Sequence, residues 1–203
     1  MKNEACGRNQ VVGGVLYTEF IGHDLIKSIS ILLEENKKQS GSGIYFNTIN
    51  LLASQALELL PKSLIATSIC LNKNNDSPEE IYRAINKKLS CLNHDLDDIF
   101  DEVPELKKVL GIIKIEKVNK KTKNNKDIYI DEFRFTLKNN GMIRIKNLEG
   151  ARYGLFAKNI DIGGNSIHDI EQISAFLNKL SVETGKIRAE IINRFDEKQK
   201  SKK

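Results

Sequence analysis

The chain has 203 residues, 40% of them hydrophobic and 29% charged, with a net charge of +5. That balance fits a single domain long enough to bury a core and excludes a wholly disordered polymer. No apolar run reaches the roughly 20 residues that span a bilayer, MKNEACGRNQ lacks the order of a secretory signal, and Cys6, Cys70 and Cys91 lack Cys-x-x-Cys spacing; no membrane association, disulfide scaffold or zinc knuckle is expected, and a reducing cytoplasm fits.

Residues 1–21 read as an N-terminal segment in which 11–20, apolar with two glycines, is either a short strand or a helix start. A helix is expected over 22–38, where Leu25, Ile29, Leu32 and Leu33 form one apolar stripe that ends at the QSGSG break. The next helix, after Gly43 and to about Leu71, is apolar over a wide arc, which marks a central helix. Pro61 lies inside it and is expected to bend it, or to split it near Leu57. Ser77-Pro78-Glu79-Glu80 supplies an N-cap, a first-turn proline and first-turn acids for a third helix through Ile81, Ile85 and Leu89.

In CLNHDLDDIFDEVPEL, Asn93 is read as the N-cap of a short helix that buries Leu96, Ile99 and Phe100, with Pro104 closing or restarting it. Six acids and no base lie between Asp95 and Glu105. They lack the alternating oxygen ligands and central glycine of an EF-hand loop, so a solvated helix face is the reading and no metal is expected.

Residues 107–126 hold eight lysines against Glu116 alone, and 198–203 add four more. Those stretches contribute eleven net positive charges, so the remainder of the chain carries six net negative ones. Lys114, Lys117, Lys120, Lys121 and Lys123 are candidates for nucleic-acid phosphates, because releasing condensed counterions favours association. No aromatic residues interleave them to stack bases, and a solvated loop is the plainer reading.

After Lys126 the period changes to an approximate alternation through Ile128, Ile130, Phe133, Phe135 and Leu137, with a slip at Asp131-Glu132 read as a bulge. Asn139-Asn140-Gly141 then turns the chain into MIRIK, giving one β-hairpin over about 127–147. A glycine-rich loop follows, with Ser166 as cap of a last helix that ends near Phe195. The expected architecture is mainly α: an antiparallel bundle of four to six helices forming one domain. Its parts are a helical core over 22–110, a lysine-rich loop and hairpin insertion over 111–150, a loop and C-terminal helix over 151–197, and a basic tail over 198–203.

No P-loop, Rossmann fingerprint, His-Glu-x-x-His or Gly-x-Ser-x-Gly motif occurs, and no cofactor is expected. The three histidines, His23, His94 and His168, each precede an aspartate. A neighbouring carboxylate favours charged imidazole, as in acid–base groups. Adjacent helical residues point about 100° apart, however, and an aspartate near a helix start has a simpler role in offsetting the helix dipole.

Ala56-Leu57-Glu58-Leu59-Leu60-Pro61-Lys62-Ser63-Leu64, followed some thirty residues later by Asn93-His94-Asp95-Leu96, resembles the HEPN superfamily. Its members carry an ALE/AIE..lK helix, a short second helix and a (G/N)HDL start to a third. Arg152-Tyr153 is similar to the Arg-Tyr that several members carry before the final helix. The resemblance covers about 44–110 and 151–195. It implies a helical bundle, often homodimeric, in prokaryotic toxin–antitoxin, abortive-infection or CRISPR-linked systems. Active members are metal-independent ribonucleases with an Arg-x(4–6)-His motif, in which a basic pair stabilises the phosphoryl transition state and moves protons. This chain departs from that pattern: His94 lies eleven positions after Arg83, and neither His23 nor His168 follows an arginine at the required spacing. The expectation is therefore a non-catalytic module that dimerises and binds nucleic acid or a partner protein. The alternatives are a ribonuclease built on His94, Arg152 and Tyr153, and an adaptor that adds its hairpin to a partner sheet.

Overall fold

The computed structural model describes residues 2–38, 45–73, 75–121, 129–147 and 167–201, without the side chains of 2–11, 47, 119–121, 129–131, 147 and 167. Among the described residues the order is α1 (Lys2–Lys38), α2 (Phe46–Asn72), α3 (Pro78–Leu92), α4 (Leu96–Asp101), α5 (Pro104–Leu110), β1 (Ile112–Lys121), β2 (Tyr129–Leu137), β3 (Met142–Asn147) and α6 (Ile167–Lys200). The protein is mainly α, with one small antiparallel sheet of order β1-β2-β3.

The first helix begins twenty residues earlier than its apolar stripe predicts, and the segment over 11–20 is neither a strand nor a helix start but its middle. Gly13 and Gly14 each cost a helix about 1 kcal/mol relative to alanine, too little to stop it where packing supports it. That support comes from Val15, which is buried with Ala66, Ile81 and Ile85. Further along, Ile26, Ile29 and Leu33 join the main core. Gly22 marks a close helix crossing, since a Cβ there would stand 2.7 Å from Cδ2 of Leu60.

In α2, Ile49, Ala53, Ala56, Leu57, Leu60 and Leu64 are fully buried, as expected of a central helix. Pro61 does not split it: the helix is continuous from Phe46 to Asn72. One missing amide bond is outweighed by packing on several sides at once. The third helix starts as the sequence predicts, with a capping box: the Ser77 hydroxyl accepts from the Glu80 amide, and the Glu80 carboxylate accepts from the Ser77 amide at 2.9 Å.

Asn93 is not the cap of the next helix. It ends α3 with φ at 46°, and Asp95 caps α4 by accepting from the amides of Asp97 and Asp98. Pro104 restarts the helix as α5, which stops at Gly111 in the left-handed region, φ 75°. The acidic stretch is ordered by bases supplied from elsewhere: Lys107 reaches Asp101 at 2.5 Å and Asp97 at 3.1 Å, and Lys88 reaches Glu102 at 2.6 Å. Burial opposes the charge on Lys107, yet the bonds to Asp101 and Asp97 hold its ammonium above the usual lysine range.

The expected hairpin is present as β2 and β3, with Asn140 at φ 60° in its turn. Within the lysine-rich stretch before it, 112–121 is corrected from loop to strand: β1 pairs with β2 from Ile112↔Leu137 to Lys121↔Tyr129. The register shift falls between Ile112 and Lys114, whereas Asp131-Glu132 pairs without a slip. Ile115, Phe133, Phe135, Ile143 and Ile145 form the buried face of the sheet. Phe135 meets Phe100 edge-on at 6.1 Å and Phe176 at 5.5 Å, joining the sheet to α4 and α6. On the outer side of β3, the Lys146 amide donates to Oδ1 of Asn50 at 3.0 Å, so α2 covers part of that edge. The last helix continues past Phe195 to Lys200; Ser166 lies outside the described residues.

Candidate functional site

Residues four apart on a helix share a face, which places Glu58 and Lys62 of α2 side by side. The Lys62 ammonium donates to Oε1 of Glu58 at 2.6 Å and to the Asn93 carbonyl at 2.5 Å. The other carboxylate oxygen of Glu58 lies 2.8 Å from Nδ1 of His94. The two separated segments that carry the family resemblance therefore meet, at the turn between α3 and α4.

Each residue of Asn93-His94-Asp95-Leu96 has a place in that joint. The positive φ of Asn93 belongs to backbone that glycine, and after it asparagine, tolerates best. His94 meets Glu58, Asp95 caps α4, and Leu96 is 1% exposed in the core. On the α2 side, Ala56, Leu57, Leu60 and Leu64 are core, and Lys62 is 9% exposed. The ammonium of Lys62 thus lies near the interior with two acceptors, while the His94 side chain is 61% exposed.

Of the other candidates, Arg152, Tyr153 and Lys123 lie outside the described residues. Lys114 and Lys117 do not form one patch: Lys117 is opposite Phe133 and Lys114 opposite Thr136, which puts them on opposite faces of the strand. Lys120 and Lys121 also belong to β1, with side chains outside the description. Among the described strands β1 lies at an edge, a place where lysines disfavour edge-to-edge pairing.

A second polar cluster was not legible as a site in the sequence. His23 is twenty-one residues into α1, so the dipole account of its aspartate neighbour fails there. Its Nδ1 lies 2.7 Å from Oγ of Ser181 and its Nε2 lies 3.3 Å from Oε1 of Glu19. The other oxygen of Glu19 accepts from Nη1 of Arg188 at 2.7 Å. Glu19 is 2% exposed, so a buried carboxylate is held between two part-exposed bases from different helices. Together with Gly13, Leu16, Tyr17 and Phe20, these residues line a groove of ≈ 460 Å³. The available signal was the spacing of Glu19 and His23 at i, i+4, which requires α1 to extend that far toward the N-terminus.

His168 is exposed at the start of α6 and pairs with the Gln172 amide at 2.9 Å, and Asp169 in the same first turn fits the dipole account. Among the described residues no group of three or more His, Cys, Asp or Glu side chains is arranged to hold a metal ion. No helix among them is long and apolar enough to cross a membrane.

Comparison with family models, curated proteins and solved structures gave no match. Fold and site together define a mainly α-helical protein with one antiparallel sheet, in which a glutamate–lysine–histidine joint fastens its central helix to the turn between α3 and α4.

Proposed function

We propose that this chain is a HEPN-like helical module of the prokaryotic cytoplasm that works by self-association and by binding nucleic acid in a defence or toxin–antitoxin-like setting, without catalysis at His94. The observation that carries this reading is the state of Glu58 and Lys62. Both are engaged in fastening α2 to the α3–α4 turn, so the residues that carry the resemblance serve the frame. The test is incubation of the purified protein with labelled RNA in EDTA, followed by both gel analysis and fluorescence anisotropy. Binding without cleavage is expected, and cleavage that disappears in His94→Ala would overturn the reading.

A second reading, a metal-independent ribonuclease, is favoured by one observation: His23 and Arg188 flank the buried carboxylate of Glu19 at an open groove. Glu19 would orient both bases, with His23 moving protons and Arg188 stabilising the phosphoryl transition state. It differs from the Arg-x(4–6)-His pattern in drawing the pair from two helices. Cleavage that survives His94→Ala and is lost in His23→Ala would select this reading.

A further inference from the structure

The outward face of the sheet carries a charge arrangement that the lysine count does not reveal. Directly paired residues share a face, so the register sets out three rows across β1, β2 and β3: Lys114, Thr136, Met142; Glu116, Arg134, Arg144; and Val118, Glu132, Lys146. Four bases stand there against two acids, with the third row largely covered: Glu132 is 3% exposed, and Val118 and Lys146 are half-buried.

The middle row puts two arginines directly opposite each other on neighbouring strands, about 5 Å apart at the backbone, where like charges repel. Arg134 is fixed: its Nε donates to Oε1 of Glu132 at 2.7 Å, and Glu132 is 3% exposed. Arg144 is exposed and forms no ion pair among the described residues, its contact being Nε to Sδ of Met142 at 3.3 Å. Lys114, 62% exposed in the next row, is bonded to Glu116 at 2.6 Å. A buried carboxylate thus orients one guanidinium while its neighbour faces solvent.

From this arrangement we infer that the outward face of β1–β3 binds the phosphate backbone of a nucleic acid, for which RNA is the probe, with Arg144 and Arg134 as the principal contacts and Lys114 beside them. The inference rests on the nucleic-acid part of the proposed function. Guanidinium groups present planar forks of donors that match phosphate oxygens, and two side by side reward an anion that bridges them. The rows contain no aromatic side chain, so bases have no stacking platform and recognition is independent of sequence. In the sequence, lysines follow Lys117 at positions 120, 121, 123 and 126, a composition that favours an extended polyanion over a short acidic peptide.

The test is fluorescence anisotropy on the full chain with labelled oligouridine, an RNA of mixed sequence and a polyglutamate peptide, at several salt concentrations. Wild type is expected to bind both RNAs alike and polyglutamate more weakly. Arg144→Gln should weaken RNA binding about threefold to tenfold and lower the salt slope by about one, and Arg144→Glu should weaken it further. Lys87→Gln, exposed on α3, should bind as wild type does. Unchanged urea midpoints confirm that both Arg144 variants fold. RNA binding by Arg144→Glu equal to wild type would overturn this inference and leave the nucleic-acid reading standing. Absence of RNA binding by wild type would overturn both, and preference for polyglutamate would assign the face to an acidic protein instead.

Discussion

Replacing Lys62 with methionine tests whether the resemblance residues are a structural joint. Methionine keeps most of the apolar stem and removes the ammonium, which holds Glu58 at 2.6 Å and the Asn93 carbonyl at 2.5 Å. A hydrogen bond to a charged group contributes about 1.5–3 kcal/mol, and breaking a fully buried pair costs about 3–5 kcal/mol. Here the Lys62 and Glu58 side chains retain 11% and 18% exposure, and His94 still faces the carboxylate. The expected loss is therefore about 2–3 kcal/mol. Urea unfolding followed by far-UV circular dichroism should show a lower midpoint with an unchanged slope. In a cycle with Glu58→Gln, the coupling should be at least about 1 kcal/mol. A loss under about 0.5 kcal/mol, the range of ordinary surface substitutions, would refute the claim that this lysine fastens α2 to the turn.

Gly22→Ala should destabilise by about 1–3 kcal/mol, because its Cβ would press on the fully buried Leu60, whereas Gly185→Ala, with nothing within 4 Å, should stabilise slightly; the same urea titration compares them. Asn93→Val should cost about 1–3 kcal/mol by forcing a β-branched residue to φ 46°, while Asn93→Gly should be neutral or stabilising. Asn36 is fully buried and, among the described residues, neither of its side-chain polar atoms is bonded, so Asn36→Leu should raise the midpoint by the equivalent of about 1–3 kcal/mol; a fall would mean that the amide has a role in the fold.

The sequence was most legible where local chemistry and packing agree. Ser77 with Glu80, the wide apolar arc of α2 and the Asn-Asn-Gly turn each specify their element from a few neighbouring residues. It was least legible where distant partners decide. The start of α1 is supported by Val15 packing on α2 and α3, which outweighs two glycines that locally argue against a helix. The strand character of β1 was hidden by lysines that suit a sheet edge, and by a register shift at Ile113 that breaks the alternation. Asn93 was misread because asparagine serves both as N-cap and as a positive-φ residue, and only the backbone distinguishes the two. At the candidate site, the meeting of Glu58, Lys62 and His94 depends on a contact across more than thirty residues. The Ser181–His23–Glu19–Arg188 cluster spans still more of the chain, joining α1 to α6.

The most direct measurement of the central claim is RNA cleavage in EDTA by wild type, His94→Ala and His23→Ala, with binding of the same RNA recorded in parallel. The account predicts that all three proteins bind RNA and that wild type leaves it intact. Cleavage by wild type that vanishes in His94→Ala, with its circular dichroism and urea midpoint preserved, would contradict it.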